Sequence, residues 1–361
     1  MNNILIDKTP AATSLAEAWS GIQKAKPGIR IREAAKELGV SEGQLLATKV
    51  GEHVVRLQGP WVDLLKSFKT LGRVMSLTRN EACILEHKGS FQDIGIYGEG
   101  ANAMASVIGP IESRVFFAAW HVAFAATEEK SERVLKSIQV FDKAGEAITK
   151  IYLQEKSDEE AYSKIIEQFR SSDQTAALDV KPYATEVFTG PTDHDAFLKS
   201  WSELQDTHEF SQLIKNHNVH RYDAVEIARG KFSYQVDAQQ AAKLILDEAS
   251  ASKFPIMIFV GNRGNLQIHQ GKVRTIRVLD QGHGGPQQWL NVLDPDFNMH
   301  MRMDLVHTAW VVKKPTKDGH VTSVELFDKD KNFIAQFFGL RKPGIPERED
   351  WRAIVEKLPV L

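Results

Sequence analysis

Cysteine is almost missing from this chain: Cys83 is the single one among 361 residues. That excludes an intrachain disulfide and a zinc knuckle, and it makes a reducing cytoplasm the expected location. Cys83 itself lies in the alternating run EACILEH, where a buried strand thiol is the expected reading rather than a nucleophile. Long apolar runs are missing too. The richest, from Arg114 to Thr127, is interrupted by Trp120 and His121 and is too short to span a bilayer, so an integral membrane protein is not expected. The opening residues lack a basic start followed by an apolar core, so they do not read as a secretory signal. Net charge is only -2, which leaves no global field to attract nucleic acid or an anionic membrane.

Several catalytic signatures are absent as well. There is no serine nucleophile elbow, no Gly-rich loop opening a helix, and no acidic cluster with calcium or glycosidase spacing. The segment Val260-GNRGN follows a strand pattern, but no helix follows it, which argues against dinucleotide binding.

What is present is a repeat. Ser137 to Tyr152 reads SIQVFDKAGEAITKIY and Ser323 to Phe338 reads SVELFDKDKNFIAQFF, a shift of 186. Leu77-TRNEACILEHKG matches Phe259-VGNRGNLQIHQG at a shift of 182, pairing Asn80 with Asn262 and Gly89 with Gly271. A weaker helical match, near Glu37 and Asn216, gives a shift of about 179. With 42% apolar and 25% charged residues, the composition is that of a globular protein, and the length suits two domains.

Within each copy the order is helices first, strands after. Ile31-REAAKEL has helical spacing, Gly39 is a plausible stop and Ser41 a plausible N-cap. From about residue 70 the pattern alternates with period two and is punctuated by turn residues, which predicts hairpins. Asp294-Pro295-Asp296 predicts a further tight corner. The expected class is α+β, with two tandem repeats of helices followed by a large antiparallel β-sheet. The expected boundaries are a first repeat over 1–175, a linker over 176–192 and a second repeat over 193–361.

Histidines are the candidate ligands. His217 and His220 share a helical segment, but no third ligand at a recognisable spacing accompanies them. His300 alternates with Met299 and Met301 and belongs on one sheet face. His208 lies in Gln205-DTHEF, where Asp206 and Glu209 have capping-box spacing, so it falls in the first turn of a helix. There the backbone dipole disfavours imidazolium and keeps a lone pair free for a metal, although an ordinary surface histidine fits the same pattern.

Taken together, FVGNRGNLQIHQGKV, WLNVLDPDFNMHMR, AWVVKKPTKDGHVTSVELFD and IAQFFGLR resemble the HemS/HmuS family of cytoplasmic haem-handling proteins, also called hemin-degrading factors. The similarity runs from about Trp19 to Leu358. It implies non-covalent haem b in a cleft between the two halves. The family's axial histidine, in its Asp-x-His-x-Phe stretch, corresponds to His208. Arg114 and Phe116 match the pair on the opposite haem face, Arg221 and Lys314 match basic residues that meet the propionates, and Arg341 matches another basic position of the family near the same pocket. Met257 and Phe259 resemble the apolar wall. The family often has Tyr before Gly where this chain has Phe338, which removes a hydroxyl while keeping the ring.

The resemblance implies a haem carrier that accepts imported haem for iron utilisation. Its alternative is a haem oxygenase-like enzyme, for which Arg114 is the catalytic candidate. A protein haem donor or acceptor, an importer or a haem oxygenase, is the expected partner. The offsets place His208 opposite Ile29, Arg341 opposite Glu155 and Arg114 opposite His300, so a single haem is expected.

Overall fold

The computed structural model describes residues 12–129, 134–280, 287–341 and 344–361. The expectation that the opening residues are not a leader falls partly on 1–11, outside the described residues. Local chemistry sets the first elements. Helix Ile31–Leu38 stops at Gly39, whose φ of 67° is left-handed and costs glycine little. Ser41 then starts helix Glu42–Ala47 with a reciprocal capping box: Gln44 N–H donates to Ser41 Oγ, and Ser41 N–H donates to Gln44 Oε1.

The first repeat supplies β1 (Val54–Leu57), β2 (Gly72–Arg79), β3 (Cys83–Gly89), β4 (Asp93–Tyr97) and β5 (Met104–Ile108). It continues with β6 (Glu112–Phe116), β7 (Val122–Glu129), β8 (Val134–Phe141) and β9 (Ala147–Ser157). The second supplies β10 (Ser233–Val236), β11 (Ile256–Gly261), β12 (Asn265–Gly271), β13 (Ile276–Asp280) and β14 (Gln288–Leu293). Its last strands are β15 (Phe297–Arg302), β16 (Thr308–Thr316), β17 (Gly319–Phe327) and β18 (Phe333–Gly339). Residues 171–193 carry neither helix nor strand and lead from one repeat to the other.

Two nine-stranded antiparallel sheets result, and each is a hybrid. One runs β1-β7-β8-β9-β2-β3-β15-β14-β13, the other β10-β16-β17-β18-β11-β12-β6-β5-β4. Each repeat keeps six strands in its own sheet and lends three to its partner's. The exchange begins where residues 90–92 carry the chain from β3 in one sheet to β4 in the other. Cys83, as its pattern suggested, is buried on β3, and burial pushes its thiol up.

The two sheets are fastened by matched asparagines. Asn80 Oδ1 accepts from Ala82 and Cys83 N–H in its own turn, while its Nδ2 reaches Ile334 O on β18 at 2.7 Å. Asn262 repeats this with Gly264 and Asn265 N–H, and its Nδ2 reaches Ile148 O on β9 at 2.8 Å. A polar seam continues between the sheets through Asn265 to Thr78 and Gln267 to Ser76 O. It ends at a cavity of about 620 Å³ lined by His87 and His269, whose ring nitrogens lie 3.3 Å apart.

Candidate functional site

Strand register puts most of the sequence-nominated residues on one face of the second sheet. Directly paired residues in an antiparallel sheet point to the same side. Phe338 pairs with Met257, Phe259 with Gln336 and Ile268, and Leu266 with Arg114. Glu325 pairs with Gln336 and with Trp310, and Lys314 shares the side of Trp310 on β16. Lys314, Glu325, Phe338, Met257, Phe259, Arg114 and Phe116 therefore share a surface. Arg114 and Phe116 reach it only because β6 is one of the exchanged strands.

The middle of this face is apolar, with Met257, Phe259 and Leu266 half-buried and Phe338 buried. Phe259 and Phe338 meet edge to face at 5.4 Å, with Met257 and Leu266 beside them. At the β6 side, Arg114 donates to Ser113 O at 3.1 Å and pairs with Glu112 at 3.3 Å.

At the other side the face is roofed by the helices that precede the strands. His208 stands at the N-cap of helix Glu209–Asn216, one position ahead of the first turn expected for it. Its backbone N–H donates to Asp206 Oδ1 at 2.8 Å, and its Nδ1 lies 2.5 Å from the same oxygen. Glu209 in turn accepts from the N–H groups of Gln205 and Asp206. The ring's immediate electrostatic partner is thus a carboxylate, rather than the helix terminus alone as the sequence argument held. A carboxylate can only accept, so Nδ1 carries the proton and the Nε2 lone pair is free. The side chain is 86% exposed.

Hydrogen bonding to the backbone N–H of His208 holds the Asp206 carboxyl below its usual range, with help from His208 itself and from the charge of Arg341. Arg341 also pairs with Asp318 at 3.2 Å, and its Nε is buried without a hydrogen bond. Phe210, two residues beyond His208, is buried beneath it with Lys314 Nζ 4.6 Å and the Arg221 guanidinium 5.3 Å from its ring.

Lys314 and Arg221 converge on Glu325. Lys314 Nζ donates to Oε1 at 2.7 Å and Arg221 Nε to Oε2 at 2.8 Å, while Gln336 and Ser323 also donate. Burial alone raises the Glu325 carboxyl, but Arg221 and Lys314 outweigh it and hold it at about 2. Burial also pushes the Lys314 ammonium down to about 8, against the pull of Glu325. With 2% of its side chain exposed, Lys314 sits beneath the surface, and Arg221 is half-buried above it.

Sequence reasoning passed over Asp206 as a ring partner and Glu325 altogether. The signal for Glu325 was a lone carboxylate on the side of β17 that its repeat partner, Gln139, fills with an amide. The other histidines settle into packing: His217 lies edge-on to Phe197, and His220 caps helix Arg221–Ile227. Among the described residues no group of three His, Cys, Asp or Glu is placed to hold a metal ion alone, and no helix is long and apolar enough to cross a membrane.

The haem implied by the sequence resemblance needs an iron ligand, flat apolar walls and cations for two carboxylates. His208 offers an unshared Nε2, Met257, Phe259 and Phe338 offer the wall, and Arg341 offers an unsatisfied buried donor. The donor set fits.

Known proteins share this architecture. A family model described as the haemin-degrading HemS.ChuX domain matches at residues 39–169 and again at 218–358. The hemin transport protein HmuS of Yersinia pestis is 33% identical over 348 residues, spanning 96% of this chain and 97% of that protein. Holo-PhuS, a heme-binding protein from Pseudomonas aeruginosa, matches with a TM-score of 0.90 at 40% identity over 98% of this chain and 100% of its own. ChuS, a heme degrading enzyme of Escherichia coli O157:H7, matches at 0.88 and 29% identity over 97% of this chain and 100% of its own.

Proposed function

Because the chain belongs to the haemin-degrading HemS.ChuX domain family, we propose that it binds haem on the roofed face of its second sheet and carries it for iron utilisation. The observation that carries this reading is the His208 ring, whose Nδ1 is committed to Asp206 and whose Nε2 stands free in the open.

Bound haem would bring an iron that needs a ligand and two carboxylates to neutralise. His208 Nε2 would hold the iron, and Asp206 fixes the tautomer and orientation of the ring. Phe338, Phe259 and Met257 cover the porphyrin and exclude water. Arg341 and Arg221 receive the carboxylates. Lys314 works from below, holding Glu325 so that Arg221 keeps its position at the surface. Arg114, on the exchanged strand, would serve the bound group as a hydrogen-bond donor, since a guanidinium is too basic to be a good iron ligand. The working location is the cytoplasm, and a protein donor or acceptor delivers or receives the haem.

A second reading is ring opening with release of iron, and the similar protein ChuS is a heme degrading enzyme. Phe338 favours carriage, because the face offers a bare ring where a hydroxyl would serve as a donor to a small iron-bound ligand. Mixing the haem complex with apomyoglobin should transfer intact haem. Adding reductant with catalase present should leave the tetrapyrrole whole. A defined ring-opened product under those conditions would overturn carriage in favour of catalysis.

A further inference from the structure

Arg114 shares its side of the exchanged strand with an acid. Alternation along β6 presents Glu112, Arg114 and Phe116 to one side, and the registers carry that side onto β12. Ile268 stands opposite Glu112, Leu266 stands opposite Arg114, and Gln270 shares their side two residues beyond Ile268. Glu112 therefore belongs to the face that holds Met257, Phe259 and Phe338.

A carboxylate is costly to place there. The Glu112 side chain is 11% exposed, and a buried carboxylate is tolerated when its oxygens are paired and hydrogen-bonded. Here both oxygens are engaged: Oε2 accepts from Gln270 Nε2 at 2.6 Å, and Oε1 accepts from Arg114 Nη2 at 3.3 Å. Among the described residues Arg114 is the only cation paired with this carboxylate, so the two together carry no net charge.

The sheet itself does not require an acid at this position. A shift of 186 puts Asn298 and His300 on β15 where Glu112 and Arg114 stand on β6. β15 lies between β3 and β14 as β6 lies between β12 and β5, so an amide serves the equivalent strand. The acid accompanies the arginine.

Glu112 acts on Arg114 in two ways. It fixes the guanidinium, which is held by Ser113 O on Nη1 and by Glu112 on Nη2. Of the five N–H groups of a guanidinium, two are thus committed among the described residues and three remain for a bound group. Glu112 also cancels the charge. Two opposite charges this close act on a third group as a dipole, whose pull falls off faster than that of a free cation.

We propose that Glu112 determines ligand specificity on the Arg114 side of bound haem: by fixing the guanidinium and cancelling its charge, it makes that side prefer neutral, hydrogen-bonding ligands of the iron over anions. The proposal rests on reading this face as a haem site, with Arg114 on the haem side opposite His208 as the sequence resemblance implies.

The test loads ferric haem on the full-length protein and titrates azide, an anion, and imidazole, at a pH where it is neutral, while following the Soret band. Glu112→Gln keeps the size of the side chain and an oxygen for Arg114 but removes the charge. It should bind azide roughly tenfold more tightly than wild type at low salt. Imidazole affinity should stay unchanged, and the azide gain should shrink as salt is raised. Glu112→Asp keeps the charge on a shorter arm and should retain the wild-type preference between the two ligands. Equal azide affinity in wild type and Glu112→Gln overturns the proposal. So does a gain for azide and imidazole alike, or an azide gain in Glu112→Asp matching that in Glu112→Gln, since either assigns the effect to packing. A wild-type protein that forms no complex with ferric haem overturns instead the haem reading beneath the proposal.

Discussion

His208 and Asp206 are joined twice through a single oxygen: the backbone N–H of His208 lies 2.8 Å and its Nδ1 2.5 Å from Asp206 Oδ1. One carboxylate therefore shapes the turn that launches the helix and selects the ring tautomer that leaves Nε2 free. Carboxylates that orient a metal-ligating ring in this way typically contribute about 10-fold to 100-fold to metal affinity. Asp206→Asn should weaken ferric haem binding by roughly that factor, with little change in the urea midpoint. Unaltered affinity would show that the ring needs no carboxylate to orient it.

Glu325 is the anchor beneath the same face. Its carboxylate takes both Lys314 and Arg221, and all but Arg221 is buried. Removing one member of a buried ionic cluster typically costs about 3–5 kcal/mol, because the remaining charge is left unpaired. Glu325→Ala should lower stability by that order in urea unfolding and loosen Arg221 as well. A loss below about 1 kcal/mol, the scale of a surface ion pair, would show that Lys314 finds other partners.

The histidine pair between the sheets gives stability a pH dependence. Gln267 Nε2 donates to His87 Nδ1 at 2.8 Å, which makes His87 Nε2 the donor toward His269 Nδ1. Burial lowers His87 to about 4, and burial together with His87 lowers His269 to about 3, from an ordinary 6.5. Between those values and 6.5 the unfolded chain binds more protons than the folded one. The stabilisation is therefore complete above pH 6.5 and is lost as pH falls toward 3, by a few kcal/mol in order of magnitude. Replacing both histidines by glutamine should flatten the slope of unfolding free energy against pH between 6.5 and 4. An equal slope in wild type and variant would place the acid sensitivity elsewhere.

Asn80 and Asn262 should behave as twins. Each caps its own turn and holds a carbonyl of the opposite sheet, so each alanine variant should cost about 1–3 kcal/mol by stranding buried backbone groups. Strongly unequal costs would mean that one of the two cross-links is not made in solution.

The repeat, the helix punctuation at Gly39 and Ser41, and the hairpin corner at Asp294 were legible because each depends on residues close in sequence. The strand exchange was not. Strands β6 and β15 alternate alike, and pairing either with β3 or with β12 buries the same pattern of side chains. What decides is the path of residues 90–92, a three-dimensional property that period and composition do not record. For the same reason Arg114 could be nominated by resemblance, but its arrival in the second repeat's sheet could not be read. Burial separated Lys314 from its neighbour Lys313, which is exposed, although the sequence presents the two as equals.

The most direct measurement is ferric haem affinity, with the Soret spectrum, for wild type and His208→Gly, each with and without free imidazole. The expected result is a loss of affinity of at least tenfold and a changed Soret band in His208→Gly, both restored by imidazole entering the vacated space. Wild-type affinity and spectrum in His208→Gly without imidazole would contradict the assignment of His208 as the iron ligand.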